Sequence, residues 1–153
     1  MKFPIDKELV EVPSPVGYDL QLRPVLERYA ARFGYTVTYD RRGTPYIELE
    51  GQDNSKTVLL GAHADTLGLM VRHIEADGTL LVRALGGINY CNIEGSTVTV
   101  YTRDGRSYTG LMACQSHSVH VFDDARTVER NENTMMVILD QPVKSKADVN
   151  ALG

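Results

Sequence analysis

Two Asp-Gly turns, each between short alternating stretches of apolar residues, constrain the fold of the second half of this chain. The paired stretches are residues 69–74 with 79–83 and residues 98–102 with 107–112. Asp-Gly between such stretches is a strong signal of a β-hairpin. Residues 134–139 predict one more strand. Short strands at this regular spacing indicate a small all-β barrel.

The first part of the chain has a different pattern. Residues 6–12 predict a short helix, and residues 18–33 predict an amphipathic helix that Gly34 ends. Pro24 either starts the regular helix or kinks it, because proline lacks a backbone donor. Three strands are predicted to follow, at residues 35–39, 45–49 and 57–60. The last of these is apolar on both faces, which is typical of a central strand.

These two patterns meet near Gly68. A helix, a hairpin-like pair and a central strand predict the start of an α/β sheet, and the hairpins after Gly68 predict an all-β unit. Near the C-terminus, Ser145 and Asp148 have the spacing of a helix N-cap. Since the chain stops at Gly153, just as this new helix begins, we expect the sequence to be part of a longer one.

The composition is that of an ordinary globular protein and argues against two classes of partner. Of 153 residues, 42% are hydrophobic and 24% are charged, so the chain can bury a core. The formal net charge is −4 with scattered basic residues, which argues against nucleic acid and anionic membranes as partners. No apolar run is long enough to span a bilayer, and the N-terminus does not read as a signal peptide. Cys91 and Cys114 therefore favour reduced thiols and a cytoplasmic location, although one disulfide is compatible with the sequence.

The candidate functional residues lie in the stretch LLGAHADTLG, residues 59–68. His63 and Asp65 are two positions apart, so on an extended chain their side chains point the same way. A neutral imidazole is a common ligand of catalytic Zn²⁺, and a nearby carboxylate can accept the other ring N–H and fix the tautomer. Their place beyond a predicted strand suits ligand binding in α/β sheets. The same three-residue pattern also fits a structural histidine.

Other reactive side chains are interpreted as structural. Cys114, His117 and His120 do not have the spacing of a tetrahedral metal site, so we predict a loop at the barrel edge. Ser14 and Ser116 lack a nucleophile elbow, which argues against serine hydrolysis. Four further acids fall in predicted barrel loops: Asp123, Asp124, Glu129 and Glu132.

Several of these stretches together resemble one family. LLGAHADTLGLMVRHIEADGTLLVRALGG is similar to the metal-binding and insertion region of the M42 metallopeptidases, the family of glutamyl and tetrahedral aminopeptidases. ELVEVPSPVGYD resembles the opening helix and Pro-Ser-x-Gly turn of that family. Thr109-Gly110-Leu111-Met112 with Ser116-His117 resembles a later barrel strand and its His-bearing loop. Lys144–Asp148 and Leu152-Gly153 resemble the segment that returns to the catalytic domain.

The resemblance implies a fold and a domain order. The fold class would be α/β, with an incomplete aminopeptidase-type catalytic domain followed by a small inserted β-barrel. Residues 1–67 would be the N-terminal part of the catalytic domain. Residues 68–142 would be the inserted barrel, a PDZ-like dimerisation domain, and residues 143–153 would begin the return to the catalytic domain.

The resemblance also implies a chemistry. M42 enzymes are hydrolases that remove N-terminal residues from peptides with two divalent metals, usually zinc or cobalt. By motif match, His63 would be a metal ligand, and Asp65 would orient His63 in the catalytic site. The expected partners are a peptide substrate and further copies of the chain, assembled through the barrel. Neither nucleic acid nor a membrane is expected.

The sequence departs from the family at important positions. The bridging Asp, the catalytic Glu pair and the other metal ligands of the family lie beyond the insertion, where this sequence has ended. Asp140-Gln141-Pro142 replaces the usual Asp-x-Gly, and Thr66 stands where an acid is frequent. We therefore expect the 153-residue chain to be inactive alone. The alternative hypothesis is a non-catalytic β-barrel oligomerisation module with a vestigial metal-site motif.

Overall fold

The structure, a computed structural model, describes residues 4–153, apart from the side chains of Pro4 and Asp6. The chain divides into two compact units, Met1–Gly68 and Leu69–Gly153. Helices and strands occur in both units, and each unit is described separately below. The domain ranges expected from the sequence, 1–67, 68–142 and 143–153, stay a prediction.

Two helices form the first part of the N-terminal unit. Helix α1 spans Pro4–Glu11 and α2 spans Leu22–Arg32, so both predicted helices are present. The expectation that the second helix begins at Tyr18 is wrong by four residues. Pro24 lies in the first turn of α2, where a missing N–H is tolerated, whereas a longer helix would set its ring against the carbonyl of Leu20.

The strands of the N-terminal unit are shorter than predicted. Strand β1 spans Thr38–Tyr39 and pairs antiparallel with β2, Pro45–Tyr46. The prediction of a central strand at residues 57–60 is wrong: this segment has no regular secondary structure. Val58, Leu59 and Leu60 have 84%, 88% and 92% of their surface exposed. A strand apolar on both faces needs a neighbouring strand and covering elements, and the described residues provide neither.

A five-stranded antiparallel sheet forms the C-terminal unit. Its strands lie in the order β3-β4-β7-β6-β5. Their bounds are β3 Gly68–Ile74, β4 Leu80–Leu85, β5 Thr97–Tyr101, β6 Ser107–Cys114 and β7 Met135–Leu139. A short 3-10 helix, Tyr90–Asn92, lies between β4 and β5. All the strands predicted after Gly68 are present, but a closed barrel is not confirmed, because β3 and β5 are the edges of the sheet.

The Asp-Gly turns have the geometry that the sequence predicts. The N–H of Glu75 donates to the carbonyl of Thr79 at 2.9 Å, and Gly78 has a positive φ of 89°. The second turn repeats this arrangement, with Gly105 at a φ of 88°. Glycine adopts this conformation without the strain of a Cβ, which suits the last position of a three-residue hairpin loop. These turns fix the register of both hairpins.

The core of this unit lies on one face of the sheet. Its buried residues alternate along the strands, as expected for a half-buried sheet: Leu80, Val82, Met112, Cys114, Met135, Val137 and Leu139. Helix α3, Lys146–Asn150, adds Val149 to the same cluster. The hydroxyl oxygen of Ser145 accepts a hydrogen bond from the N–H of Asp148 at 3.2 Å. The N-cap predicted from the sequence is therefore confirmed.

Candidate functional site

The candidate site is an exposed pair, His63 and Asp65, on an extended segment of the N-terminal unit. Nδ1 of His63 lies 3.0 Å from Oδ1 of Asp65, a hydrogen-bonding distance. The side chains are 87% and 46% exposed. The two residues therefore interact as their spacing predicts. Because Nδ1 faces the carboxylate, Nε2 is the ring nitrogen that can bind a metal ion.

A shallow groove of the N-terminal unit contains this pair. Its volume is about 340 Å³, and its lining residues are Leu9, Val10, His63, Ala64, Asp65 and Thr66. The first two belong to α1, and Val10 is 58% exposed. The groove thus combines an apolar wall with an imidazole and a carboxylate. Such a combination suits a ligand with an apolar group beside a polar one.

Ser14 joins the turn after α1 to the segment that carries His63 and Asp65. Its hydroxyl donates to the carbonyl of Ala64 at 3.0 Å, and its N–H donates to Oγ1 of Thr66 at 3.1 Å. The N–H of Thr66 donates back to the carbonyl of Ser14 at 3.1 Å. The sequence indicates a turn at Pro13-Ser14-Pro15 through the resemblance of ELVEVPSPVGYD to the family's Pro-Ser-x-Gly turn. No pattern in the sequence predicts its contact with residues fifty positions away.

Few side chains at the groove could bind a metal ion. Within residues 4–153, no group of three His, Cys, Asp or Glu side chains lies close enough together to hold a metal ion. His63 supplies one nitrogen, and Asp65 is engaged with that same ring. Catalytic metal sites use three protein ligands or more. The pair therefore fits part of a metal site.

The residues that follow Cys114 form a loop, as the sequence predicts. His117 and His120 are both exposed, and Nδ1 of His117 lies 3.2 Å from the carbonyl oxygen of Cys114. The ring of His117 also contacts Phe122, with centroids 5.7 Å apart. Cys91 and Cys114 are free thiols. These contacts orient His117 within its own loop.

The acids of the second unit form no metal-binding group with the other described residues. Glu132 lies within an ion-pair distance of 3.2 Å from Arg83, and Asp123, Asp124 and Glu129 are exposed. The nearby Arg130 pairs with Glu94 at 2.9 Å and also donates to two loop carbonyls. Ion pairs hold this part of the unit together.

In the described part of the chain, no helix is long and apolar enough to cross a membrane.

Known proteins are similar to this chain in sequence. A sequence model described as M42 glutamyl aminopeptidase matches residues 43–153. The Bacillus subtilis protein YhfE, whose name describes it as an aminopeptidase, is 38% identical over 147 residues, 96% of this chain and 42% of that protein. The glutamyl aminopeptidase of Lactococcus lactis is 32% identical over 101 residues, 65% of this chain and 28% of that enzyme.

A solved structure agrees with these sequence matches. The TET1 peptidase of Pyrococcus horikoshii is 25% identical and has a TM-score of 0.77, covering 97% of this chain and 43% of the other. The chain thus spans less than half the length of each of these three relatives. The family match includes both the His63 segment and the five-stranded sheet. This chain therefore belongs to the M42 family of glutamyl aminopeptidases.

Proposed function

We propose that this chain contributes to a divalent-metal-dependent aminopeptidase that hydrolyses N-terminal residues from peptides. The observation that carries the proposal is the 3.0 Å contact between Nδ1 of His63 and Oδ1 of Asp65. This contact orients Nε2 for a metal and makes the imidazole a better ligand. Family membership supports the same reaction, since the Lactococcus lactis relative is named for its glutamyl aminopeptidase activity.

The two residues have different roles in this proposal. His63 binds one metal of a pair, zinc or cobalt, through Nε2, and Asp65 positions the ring without binding the metal itself. When bound, such metals would lower the pKa of a coordinated water and would polarise the peptide carbonyl. The groove beside α1, with Leu9 and Val10, then offers apolar surface next to the reacting bond.

The isolated 153-residue chain should bind metal weakly and should not turn over substrate. One imidazole and one carboxylate cannot hold two metals and also supply a general base. The test is a cobalt(II) titration followed by NMR, together with hydrolysis of aminoacyl p-nitroanilides. We expect weak binding that broadens signals around His63, and no hydrolysis. Metal-dependent turnover by the purified chain would contradict this.

Two variants make the titration specific. His63→Ala should abolish the cobalt-dependent broadening at residues 62–66, and His73→Ala should leave it unchanged. His73 is the matched control because it is an exposed histidine on β3 in the other unit. If the two variants change the cobalt-dependent broadening equally, His63 is not a metal ligand. In any longer protein that contains this chain, His63→Ala should abolish aminopeptidase activity.

The second candidate function is assembly, with a vestigial metal-site motif. The exposed apolar segment Val58–Leu60 favours it, because contiguous exposed apolar surface marks interaction sites. The TET1 peptidase of Pyrococcus horikoshii can assemble into a tetrahedron or a large octahedral shell. By analogy, we propose that copies of this chain associate, with the C-terminal unit as the PDZ-like dimerisation domain.

We also propose a cytoplasmic location. The free thiols of Cys91 and Cys114 support it, because disulfides are rare in the cytosol.

Sedimentation velocity tests the contribution of the apolar segment to association. Leu59→Glu places a charge on its exposed surface and should lower the fraction of oligomer. Thr57→Glu is the matched control, since Thr57 is exposed two positions away and the charge change is the same. If both variants lower association equally, net charge rather than the apolar surface controls it. A chain that associates but binds no metal at His63 would favour this second function.

A further inference from the structure

Three hydrogen bonds connect Ser14 with the segment that holds His63 and Asp65. They join the Ser14 hydroxyl to the Ala64 carbonyl, the Ser14 N–H to Oγ1 of Thr66, and the Thr66 N–H to the Ser14 carbonyl. Their lengths are 3.0, 3.1 and 3.1 Å. Residues 57–67 have no regular secondary structure, so these bonds replace the sheet ladder that would otherwise fix such a segment.

Ser14 is placed to act as a rigid support. Only 3% of its surface is exposed, and it is the one buried polar residue among the described side chains. Pro13 and Pro15 flank it, and proline restricts both its own φ and the conformation of the residue before it. Pro15 in turn packs closely against Gly68, where an added Cβ would lie 2.8 Å from Cγ of Pro15. The turn thus contacts the segment at both Ala64 and Gly68.

The bonds to Ser14 leave the functional side chains free. They engage Ala64 and Thr66, which alternate with His63 and Asp65 along the extended chain. Side chains at successive positions of an extended chain point to opposite sides. Ser14 therefore holds the backbone at Ala64 and Thr66 and makes no hydrogen bond to the imidazole of His63 or the carboxylate of Asp65.

We propose that Ser14 is a positioning residue that holds His63 and Asp65 in the geometry for metal binding. This inference rests on the proposed function, in which His63 is a metal ligand. A ligand on an otherwise irregular segment must be held in place, because poorly fixed ligands lose affinity to conformational entropy. The buried hydroxyl of Ser14 supplies that restraint through Ala64.

The first measurement needs no metal. In the 153-residue chain, Ser14→Ala and Thr66→Val should each speed amide hydrogen exchange at Ser14 and Thr66, whose N–H groups donate across this contact. Ser14→Ala should also change the tautomer populations of His63 seen by ¹⁵N NMR. Ser107→Ala is the matched control, because Ser107 is an exposed serine on β6 of the other unit. Amides of β7 report on folding of that other unit and should exchange as in the parent chain.

The second measurement is the dissociation constant for cobalt(II). Replacing a group that orients a metal ligand costs about 10- to 100-fold in metal affinity, so Ser14→Ala should weaken binding about tenfold. In a His63→Ala background, Ser14→Ala should have no further effect on cobalt binding.

The outcomes separate this inference from the proposed function. If His63→Ala weakens cobalt binding but Ser14→Ala does not, Ser14 is only structural and the inference is wrong. If His63→Ala itself has no effect, the proposed function fails and the inference fails with it. If Ser14→Ala weakens cobalt binding without speeding amide exchange at Thr66, the loss of affinity does not come from a looser segment, which also contradicts the inference.

Discussion

Nδ1 of His63 and Oδ1 of Asp65 lie 3.0 Å apart on a segment that belongs to no strand. The two residues are separated by one position, and both side chains are exposed to solvent. A surface pair of this kind contributes little to stability, because solvent screens the interaction. The contact is therefore better explained by the orientation that it gives the imidazole of His63 than by a contribution to the stability of the fold.

Asp65→Asn tests the orienting role directly. An amide can still accept a hydrogen bond but carries no charge, so it should support the imidazole as a ligand less well. We expect cobalt(II) affinity to fall about tenfold, as for other groups that orient a metal-bound histidine. NMR titration of the 153-residue chain measures this. Asp123→Asn, which removes an exposed carboxylate in the other unit, should leave the affinity unchanged.

Gly68→Ala tests the close packing at the end of the same segment. An added Cβ would lie 2.8 Å from Cγ of Pro15 and closer still to its Cβ, and the proline ring cannot rotate away. Overpacking of this kind costs about 1–3 kcal/mol of the free energy of unfolding, which urea titration would measure. Gly61→Ala is the matched control, because nothing lies within 4 Å of a Cβ at that position. Equal loss of stability in the two variants would contradict this explanation.

Ser145→Ala tests the cap of α3. The Ser145 hydroxyl oxygen accepts from the N–H of Asp148, and the carboxylate of Asp148 accepts from the N–H of Lys144 at 2.9 Å. Loss of an N-cap hydroxyl costs about 1 kcal/mol of helix or protein stability. Because Val149 of this helix is part of the core, the loss should appear in urea unfolding of the chain. Ser107→Ala should be close to neutral, and a cost of similar size there would argue against a capping effect.

The sequence predicts the C-terminal unit better than the N-terminal one, for a physical reason. The hairpins at Gly78 and Gly105 depend on residues within a few positions of the turn, so local patterns are sufficient. The segment Val58–Leu60 has the composition of a central strand, but a central strand exists only where neighbouring strands pair with it. The structure describes no such neighbours within residues 4–153, so the segment is exposed.

The candidate site shows the same division between local and distant information. The contact between His63 and Asp65 follows from a spacing of two on an extended chain, and the sequence predicts it. The role of Ser14 depends on residues fifty positions away, which no local pattern indicates. Long-range hydrogen bonds to a buried serine become visible only in the fold.

Tyr39 gives a prediction for the pH dependence of stability. Burial, together with the hydrogen bond that its hydroxyl donates to Glu27 at 2.9 Å, raises the pKa of Tyr39 to about 12. An unfolded tyrosine ionises near pH 10. Between these values the unfolded chain binds fewer protons than the folded chain, so stability should fall as pH rises from about 10 to about 12. Below that range the contribution is fully present.

Tyr39→Phe isolates this contribution, because phenylalanine keeps the ring and removes the ionisable hydroxyl. The free energy of unfolding, measured in urea at a series of alkaline pH values, should fall less steeply in Tyr39→Phe than in the parent chain. Tyr46→Phe is the matched control, since it removes an exposed hydroxyl from the neighbouring strand β2 without touching Glu27. It should retain the steep fall of the parent. Parallel curves for Tyr39→Phe and the parent would show that the Tyr39–Glu27 contact does not control stability at high pH.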